Sequence, residues 1–283
     1  MQDREQTVAP DLTWQERLEA IFSGAYLQLA EGLTGVSPKG GELDISLVKD
    51  SRNTLGLKIS ALGEDGFLKV FDGPDAADSY KREKAALLSL AGRDLVPDMI
   101  CFSDELRFVI TEWHGQEFLP AVNPEGTARR IGAWIARYDA LAPSRALQGD
   151  WYSYCVQLGL EASLKNIPGA KERLTAVPLC GEVLSRDDSA MHNFLEGPDG
   201  RLLGCDFERS RFKPRGWEYM RAHWSLLQRF PDQAPKVQKA LERGFDLSHR
   251  GVLRVDEIST VARILFCAQA IKAAHKTESH PWQ

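Results

Sequence analysis

The sequence predicts an α+β protein of two lobes, a small β-rich lobe followed by a larger helical one. Three observations carry that reading. Between residues 40 and 71 apolar side chains recur with a period of two, as in half-buried strands. From Pro124 onward they recur at helical spacing instead. The change falls within Thr111–Glu117, which marks the expected lobe boundary. The chain of 283 residues therefore divides into a tail and amphipathic helix over 1–39, a β-rich lobe over 40–117 and a helical lobe over 118–283.

Composition narrows the function classes. Hydrophobic residues at 43% and charged residues at 27% suit a globular chain with a substantial core and exclude disorder and collagen. A net charge of -5 argues against a general nucleic-acid binder. The five cysteines, Cys101, Cys155, Cys180, Cys205 and Cys267, include no CxxC pair, so neither a zinc ribbon nor a thioredoxin motif is supported. Isolated cysteines, a polar start at residues 1–10 and no apolar run of about 20 residues make a cytoplasmic chain without a membrane span the expectation.

The elements follow in order. Thr13 and Glu16 fit a capping box, and Leu18, Ile21, Phe22, Ala25, Leu29 and Leu33 then predict one amphipathic helix packed on a neighbour, ended by Gly35–Gly41. Alternation at Leu43-Ile45-Leu47, at Leu55-Leu57-Ile59 and around Phe67–Phe71 predicts an antiparallel meander with turns at 50–53 and 62–66. Asp75–Leu90 reads as a helix with Tyr80, Glu83, Leu87 and Leu90 on one side and Gly92 at its end. Two strands follow at Met99–Ser103 and Arg107–Thr111. Asn123-Pro124 starts a helix whose inner face is Ile131, Trp134, Ile135, Tyr138 and Leu141. Residues 150–177 are helical with a break at Pro168-Gly169. Short strands are expected at 182–184 and 202–205. Helices fill the rest from Glu218, with the last eight or nine residues frayed.

The segment richest in chemistry is 184–208. Asp188 lies five residues before Asn193, and a turn at Gly197-Pro198-Asp199-Gly200 separates Asn193 from Asp206. Such a loop can set one carboxylate beside an acceptor hydroxyl and let an amide and a second carboxylate share a divalent cation. Phosphoryl transfer needs those parts, and their oxygens suit Mg²⁺.

On these residues the chain resembles the aminoglycoside phosphotransferase/choline kinase family, a branch of the protein-kinase-like fold, whose loop reads H-G-D-x-x-x-x-N and whose metal motif is often D-F-E. The resemblance makes Asp188 the catalytic acid–base residue, and Asn193 and Asp206 of Asp206-Phe207-Glu208-Arg209 the Mg²⁺ ligands. It makes Lys69 in the strand Phe67-Leu68-Lys69-Val70-Phe71 the phosphate-holding lysine, and Glu83, fourteen residues on, its partner. Ser51 and Asn53 stand in the phosphate-covering turn, and Glu112 and His114 in the hinge that meets the nucleobase. Residues 40–117 would be the nucleotide-binding lobe and hinge, with Leu47, Leu55 and Leu68 framing adenine and Trp113 packing between lobes. Residues 118–283 would carry the catalytic loop and acceptor site.

The departures are specific. Arg186 and Asp187 replace the loop's His and Gly, and the turn at 49–54 lacks glycine. The family's His supports the loop backbone. Two adjacent acids leave two registers, Asp188/Asn193 and Asp187/His192; Phe194-Leu195 directly after Asn193 favours the first. Arg209, Arg211, Lys213 and Arg215 read either as attraction for an anionic acceptor or as a solvated, salt-bridged loop. Asp150, Glu161 and Glu218 could instead greet a cationic one.

The resemblance implies a phosphotransferase that uses ATP and Mg²⁺ and moves the γ-phosphoryl group to a hydroxyl of a small-molecule acceptor. Two alternatives keep the fold: a non-catalytic nucleotide-binding scaffold, and AMP transfer.

Overall fold

The computed structural model describes residues 12–22, 26–35, 43–115, 123–197, 199–248 and 254–279. Residues 1–11 of the expected tail, 36–41 of the expected break, Glu117 and Pro198 lie outside them. Where the sequence predicts one N-terminal helix, the described residues form α1 (Trp14–Phe22) and α2 (Tyr26–Thr34), and Ala25 lies outside the described residues. Both turn apolar residues inward, as the periodicity predicts: Leu18, Phe22, Leu29 and Leu33 are all buried. The capping box is present, with Glu16 N donating to Thr13 Oγ1 at 3.3 Å and Thr13 N to a Glu16 carboxylate oxygen at 2.7 Å.

The alternating segments become β1 (Asp44–Asp50), β2 (Thr54–Ala61) and β3 (Glu64–Phe71). Then follow α3 (Ala76–Leu90), β4 (Met99–Ser103) and β5 (Phe108–Glu112). The five strands form one antiparallel sheet in the order β1-β2-β3-β5-β4. The β2–β3 turn is tighter than expected. Leu62 and Gly63 alone make it, both at positive φ (51° and 87°), so β3 starts at Glu64.

Register decides what each face does. Leu57 opposes Leu68, and Leu68 opposes Ile110. With Leu55, Ile59, Val70 and Phe108 they form one buried core with Leu18, Phe22, Leu29 and Leu33 of the two N-terminal helices. Lys69 and Phe71 point to the opposite face. There Phe71 meets Tyr80 of α3 edge-on at 5.8 Å. Residues through Leu88 together with Pro97–Trp113 make one compact unit, and Ser89–Val96 with the chain from His114 make a second.

The second unit opens with α4 (Pro124–Leu141), capped as its sequence predicts by Asn123 Oδ1, which accepts from Gly126 N at 2.8 Å. Ile131, Trp134, Ile135 and Tyr138 are buried, whereas Leu141, expected inside, is exposed at the helix end. The two-residue β6 (Ser144–Arg145) precedes α5 (Trp151–Gln157), α6 (Glu161–Leu164) and α7 (Ala170–Thr175). The break falls at Gly169, φ 66°. Then come β7 (Glu182–Ser185), β8 (Phe194–Glu196), β9 (Leu202–Gly204), β10 (Arg211–Pro214), α8 (Trp217–Arg229), α9 (Ala234–Ser248) and α10 (Val255–Ser279). Helix α10 runs into the stretch expected to fray.

β6 and β10 have no counterpart in the sequence reading; they flank β7 in the order β10-β7-β6. They span two and four residues, too short for periodicity to register. β8 and β9 form a separate hairpin.

Helices α4 and α9 touch backbone to backbone. A methyl group on Gly132 would meet Leu241 O and stand 2.8 Å from Phe245 N; one on Gly244 would meet Arg129 O and stand 2.8 Å from Arg129 C. Alanine ordinarily favours a helix over glycine by about 1 kcal/mol, but here it has no room. Gly244→Ala is expected to destabilise the protein by about 1–3 kcal/mol, the usual range for overpacking. A thermal melt checks this, and an unchanged or raised midpoint refutes the contact.

Candidate active site

In the sheet unit, α3 turns Glu83 inward with Tyr80, Leu87 and Leu90, all buried. Lys69 Nζ lies 3.1 Å from Glu83 Oε2, with the two side chains 9% and 6% exposed. Two charges taken this far out of water are held only by a close partner.

The β1–β2 turn is tightly built. Ser51 N donates to Thr54 O at 3.0 Å, and Ser51 Oγ accepts from Thr54 N at 3.1 Å, so the hydroxyl is engaged within the turn. Asn53 O accepts from Asp72 N at 3.2 Å and Gly73 N at 3.4 Å. Residue 73 must be glycine, because a Cβ there would lie 2.6 Å from Asn53 Cα.

Two nucleobase expectations meet the structure differently. Leu55 and Leu68 lie in the core under α1 and α2, on the face opposite Lys69, so they do not frame a ligand held by Lys69. Leu47, paired with Leu57 on that same side, is 40% exposed. At the hinge, Glu112 ends β5, and its N–H donates to Asp98 O at 2.9 Å; His114 is half-buried. Trp113 stacks on Phe67 with ring centroids 6.4 Å apart, and Lys58 Nζ sits 5.5 Å from its ring, all within the sheet unit.

In the helical unit, β7 ends at Ser185, and the loop Arg186–Ala190 leads into a 3₁₀ turn at Met191–Asn193. Phe194 pairs with Gly204, and Cys205 N donates to Asn193 O at 3.0 Å. The hairpin thus brings Asn193 and the segment reaching Asp206 to the same end. Asn193 is buried, and its amide nitrogen donates to Asp188 O at 3.1 Å. That bond fixes the side chain and leaves the amide oxygen as the remaining donor atom for a cation. Asp188 is half-buried, with Oδ1 accepting from Ala190 N at 3.2 Å. Asp206 has φ 67° and Asp187 φ 63°, left-handed conformations that non-glycine residues adopt mainly where the surroundings enforce them.

Asp187 is otherwise occupied. Trp217 Nε1 donates to it at 2.9 Å, Arg211 pairs with it, and Lys213 Nζ is 3.8 Å away. His192 is exposed.

Arg186, where the resemblance expects a supporting His, is fully buried. Its Nη1 donates to Asn193 O at 2.8 Å and to Cys205 O at 3.4 Å; Nε and Nη2 reach Glu218 Oε2 at 3.4 Å. The guanidinium lies 4.5 Å from the Trp134 ring and 4.4 Å from that of Phe194. Glu218 also accepts from Arg186 N at 2.6 Å, from Ser185 Oγ at 2.7 Å and from Ser189 Oγ. A Cβ on Gly204 would lie 2.9 Å from Arg186 Nη1 and from Trp134 Cη2, so the glycine makes room for the stack.

Glu218 therefore does not greet an acceptor. Nor are the other two acids spare: Asp150 caps α5 through Ser153 N at 2.8 Å, and Glu161 pairs with Lys165 at 3.0 Å on the surface. The basic run is strand β10 and its flanks, with Arg211 and Lys213 beside Asp187 and Arg215 3.1 Å from the Asp139 carboxylate. The salt-bridged reading fits these contacts. Sequence reasoning missed Glu218, Trp134 and Gly204 as loop supports. The available signal was an unexplained Arg in a polar loop followed by a Glu on the buried face of a helix.

Among the described residues, no three His, Cys, Asp or Glu side chains converge as a metal site. The amide of Asn193 and carboxylate of Asp206 are hard oxygen donors, which suits Mg²⁺, an ion that completes its shell with water and phosphate oxygens.

No protein-family model matches the chain, and no curated protein matches its sequence. Its fold, however, is shared with solved small-molecule kinases. A choline/ethanolamine kinase family protein from Mesorhizobium loti aligns over 93% of this chain and 89% of its own, with TM-score 0.60 and 13% identity. An ethanolamine kinase from Plasmodium vivax aligns over 92% and 82%, with TM-score 0.58 and 13% identity. A macrolide 2′-phosphotransferase from Brachybacterium faecium aligns over 91% and 93%, with TM-score 0.56 and 15% identity. The chain thus has the protein-kinase-like fold of the choline kinases and antibiotic phosphotransferases, as its motifs implied.

Removing one partner of a buried ion pair typically costs about 3–5 kcal/mol. Glu218→Gln is expected to fall toward that range by urea titration. Arg186→Lys is expected to be destabilising as well, because an ammonium cannot bridge Glu218, Asn193 O and Cys205 O while stacking on Trp134. A Lys variant as stable as the parent would refute the bridging role.

Proposed function

We propose that the protein is an ATP- and Mg²⁺-dependent phosphotransferase acting on a hydroxyl group of a small molecule. The observation that carries this reading is the loop-and-hairpin arrangement, in which Asn193 is bonded to the backbone of Asp188 and sits at the hairpin end that leads to Asp206. The shared fold and the buried Lys69–Glu83 pair support it.

Each residue then has a role. Lys69, oriented by Glu83, holds nucleotide phosphates. The β1–β2 turn, with Ser51 and Asn53, covers them, and the backbone around Glu112 and His114 meets the nucleobase. Asn193 and Asp206 hold Mg²⁺, which when bound offsets charge on the phosphates. Asp188 accepts the proton of the acceptor hydroxyl as its oxygen bonds to the γ-phosphorus. The bond to the β–γ bridging oxygen breaks, and ADP leaves. Asp188 suits the base role better than Asp187, whose carboxylate is held by Trp217, Arg211 and Lys213.

No helix among the described residues is long and apolar enough to cross a membrane. The five cysteines are free thiols, which supports a reducing, cytoplasmic setting.

Turnover of ATP with a panel of sugars, amino alcohols and aminoglycosides tests the activity, with the product's added mass separating phosphate from AMP. Asp188→Asn is expected to lower kcat by about 10²–10⁴-fold, the range for a general base, while His192→Ala leaves kcat within about twofold. The reverse pattern would move the base to the Asp187/His192 register. Glu83→Gln is expected to raise KM for ATP, since it frees the lysine it orients; an unchanged KM would remove Lys69 from the nucleotide site. A protein that binds ATP but turns over no acceptor would favour the scaffold reading.

A further inference from the structure

Arg17 lies on α1, more than 30 residues before the β1–β2 turn, yet it reaches that turn. Its Nε and Nη2 donate to both carboxylate oxygens of Asp72, at 2.7 and 2.6 Å. Nη1 pairs with Asp50, and Nη2 also donates to Ser51 O at 3.0 Å. Asp50 ends β1, Ser51 opens the turn, and Asp72 follows β3. One guanidinium therefore ties together three points around the turn. The bidentate half of the contact is shielded, with the Arg17 and Asp72 side chains 16% and 15% exposed. Two-pronged Arg–carboxylate pairs are among the stronger and most directional hydrogen-bonded contacts.

Two physical consequences follow. The turn Lys49-Asp50-Ser51-Arg52-Asn53-Thr54 has no glycine with which to wrap a ligand, so its backbone must be shaped before a ligand arrives. Arg17 supplies a template from outside the turn, alongside the bonds from Asp72 N and Gly73 N to Asn53 O. Ordering the turn in advance removes that cost from binding. In addition, Asp50 and Asp72 place two negative charges beside the turn. Without a cation between them they would repel a polyphosphate.

We infer that α1 is a positioning element for the phosphate-covering turn and that Arg17 sets both its shape and its charge. This rests on the nucleotide reading of the sheet unit. Arg17 is a positioning residue; it acts through Ser51 and the two aspartates. Leu18 and Phe22 are buried in the sheet core, so α1 has anchors besides Arg17.

The test compares ATP with adenosine, both measured by calorimetry with Mg²⁺ on the full chain, for the parent, Arg17→Ala and Arg17→Lys. The expected result for Arg17→Ala is a loss of ATP affinity of about tenfold, with adenosine affinity unchanged within about twofold. Arg17→Lys restores charge without the fork and is expected to recover only part of the loss. A merely structural role would weaken ATP and adenosine in proportion, and equal losses, or none, overturn the inference while leaving the nucleotide reading intact. A parent protein that binds neither ligand overturns the nucleotide reading itself, and this inference with it. If Arg17→Ala does not fold, the comparison of Arg17→Lys with the parent decides by the same criteria.

Discussion

The buried contact between Arg186 and Glu218 is the constraint on which the loop carrying Asp188 depends. One guanidinium, without exposure to water, bridges a carboxylate and the carbonyls of Asn193 and Cys205. Those carbonyls belong to the two ends of the β8–β9 hairpin, so the bridge sets where Asn193 and the segment leading to Asp206 stand. Glu218 fixes the other side of the loop through Ser185, Ser189 and the backbone N–H of Arg186. The cost of burying both charges is offset by stacking on Trp134 and Phe194 and by hydrogen bonds from Nε, Nη1 and Nη2. The arrangement also explains why an arginine can stand where the family's loop has histidine. Backbone support needs donors aimed at carbonyls, and a guanidinium has five. Because it is longer than imidazole, it needs the space that Gly204 leaves.

The sheet unit repeats the principle with less redundancy. Lys69 and Glu83 are buried on the α3 face, while Leu55, Leu57, Leu68 and Val70 on the opposite face are buried with residues of α1 and α2. Strand alternation separates these tasks by one residue: Leu68 belongs to the core and Lys69 to the charged face. It also excludes Leu55 and Leu68 from a ligand site on the lysine's side. Their hydrophobicity suited an adenine wall, but their parity did not.

Much of the fold was legible because its signals are local. The capping box at Thr13, Asn123-Pro124, the break at Pro168-Gly169 and the alternation of residues 43–71 each act within a few residues, and each is where the sequence indicates. Strands β6 and β10 were illegible because two to four residues carry no period, and they form only by pairing with β7. In the candidate site, spacing singled out Asp188 and Asn193, and the structure brings Asn193 onto the backbone of Asp188 and next to Cys205. Glu218 was misread because its role depends on a partner 32 residues away. Nothing in a charged residue's own neighbourhood tells whether it faces a ligand or a buried cation. The basic run shows the same limit, since its partners Asp187 and Asp139 are distant in sequence.

Glycine and charge divide the remaining work. Where backbones must touch or a ring must lie on a strand, the chain has Gly132, Gly244, Gly204 and Gly73. Where a turn must keep one shape, it lacks glycine and is tied by ions instead, as Arg17 ties residues 50 to 72. The two devices are not interchangeable. Glycine allows close approach but leaves the unfolded chain more freedom, whereas an ion clamp restricts a segment only once both partners are in place. A glycine-poor turn can therefore be given one shape by contacts from outside it. It moves the burden of shaping the turn from the turn's own residues to a helix outside the sheet, and it couples the state of that helix to the region where Lys69 stands.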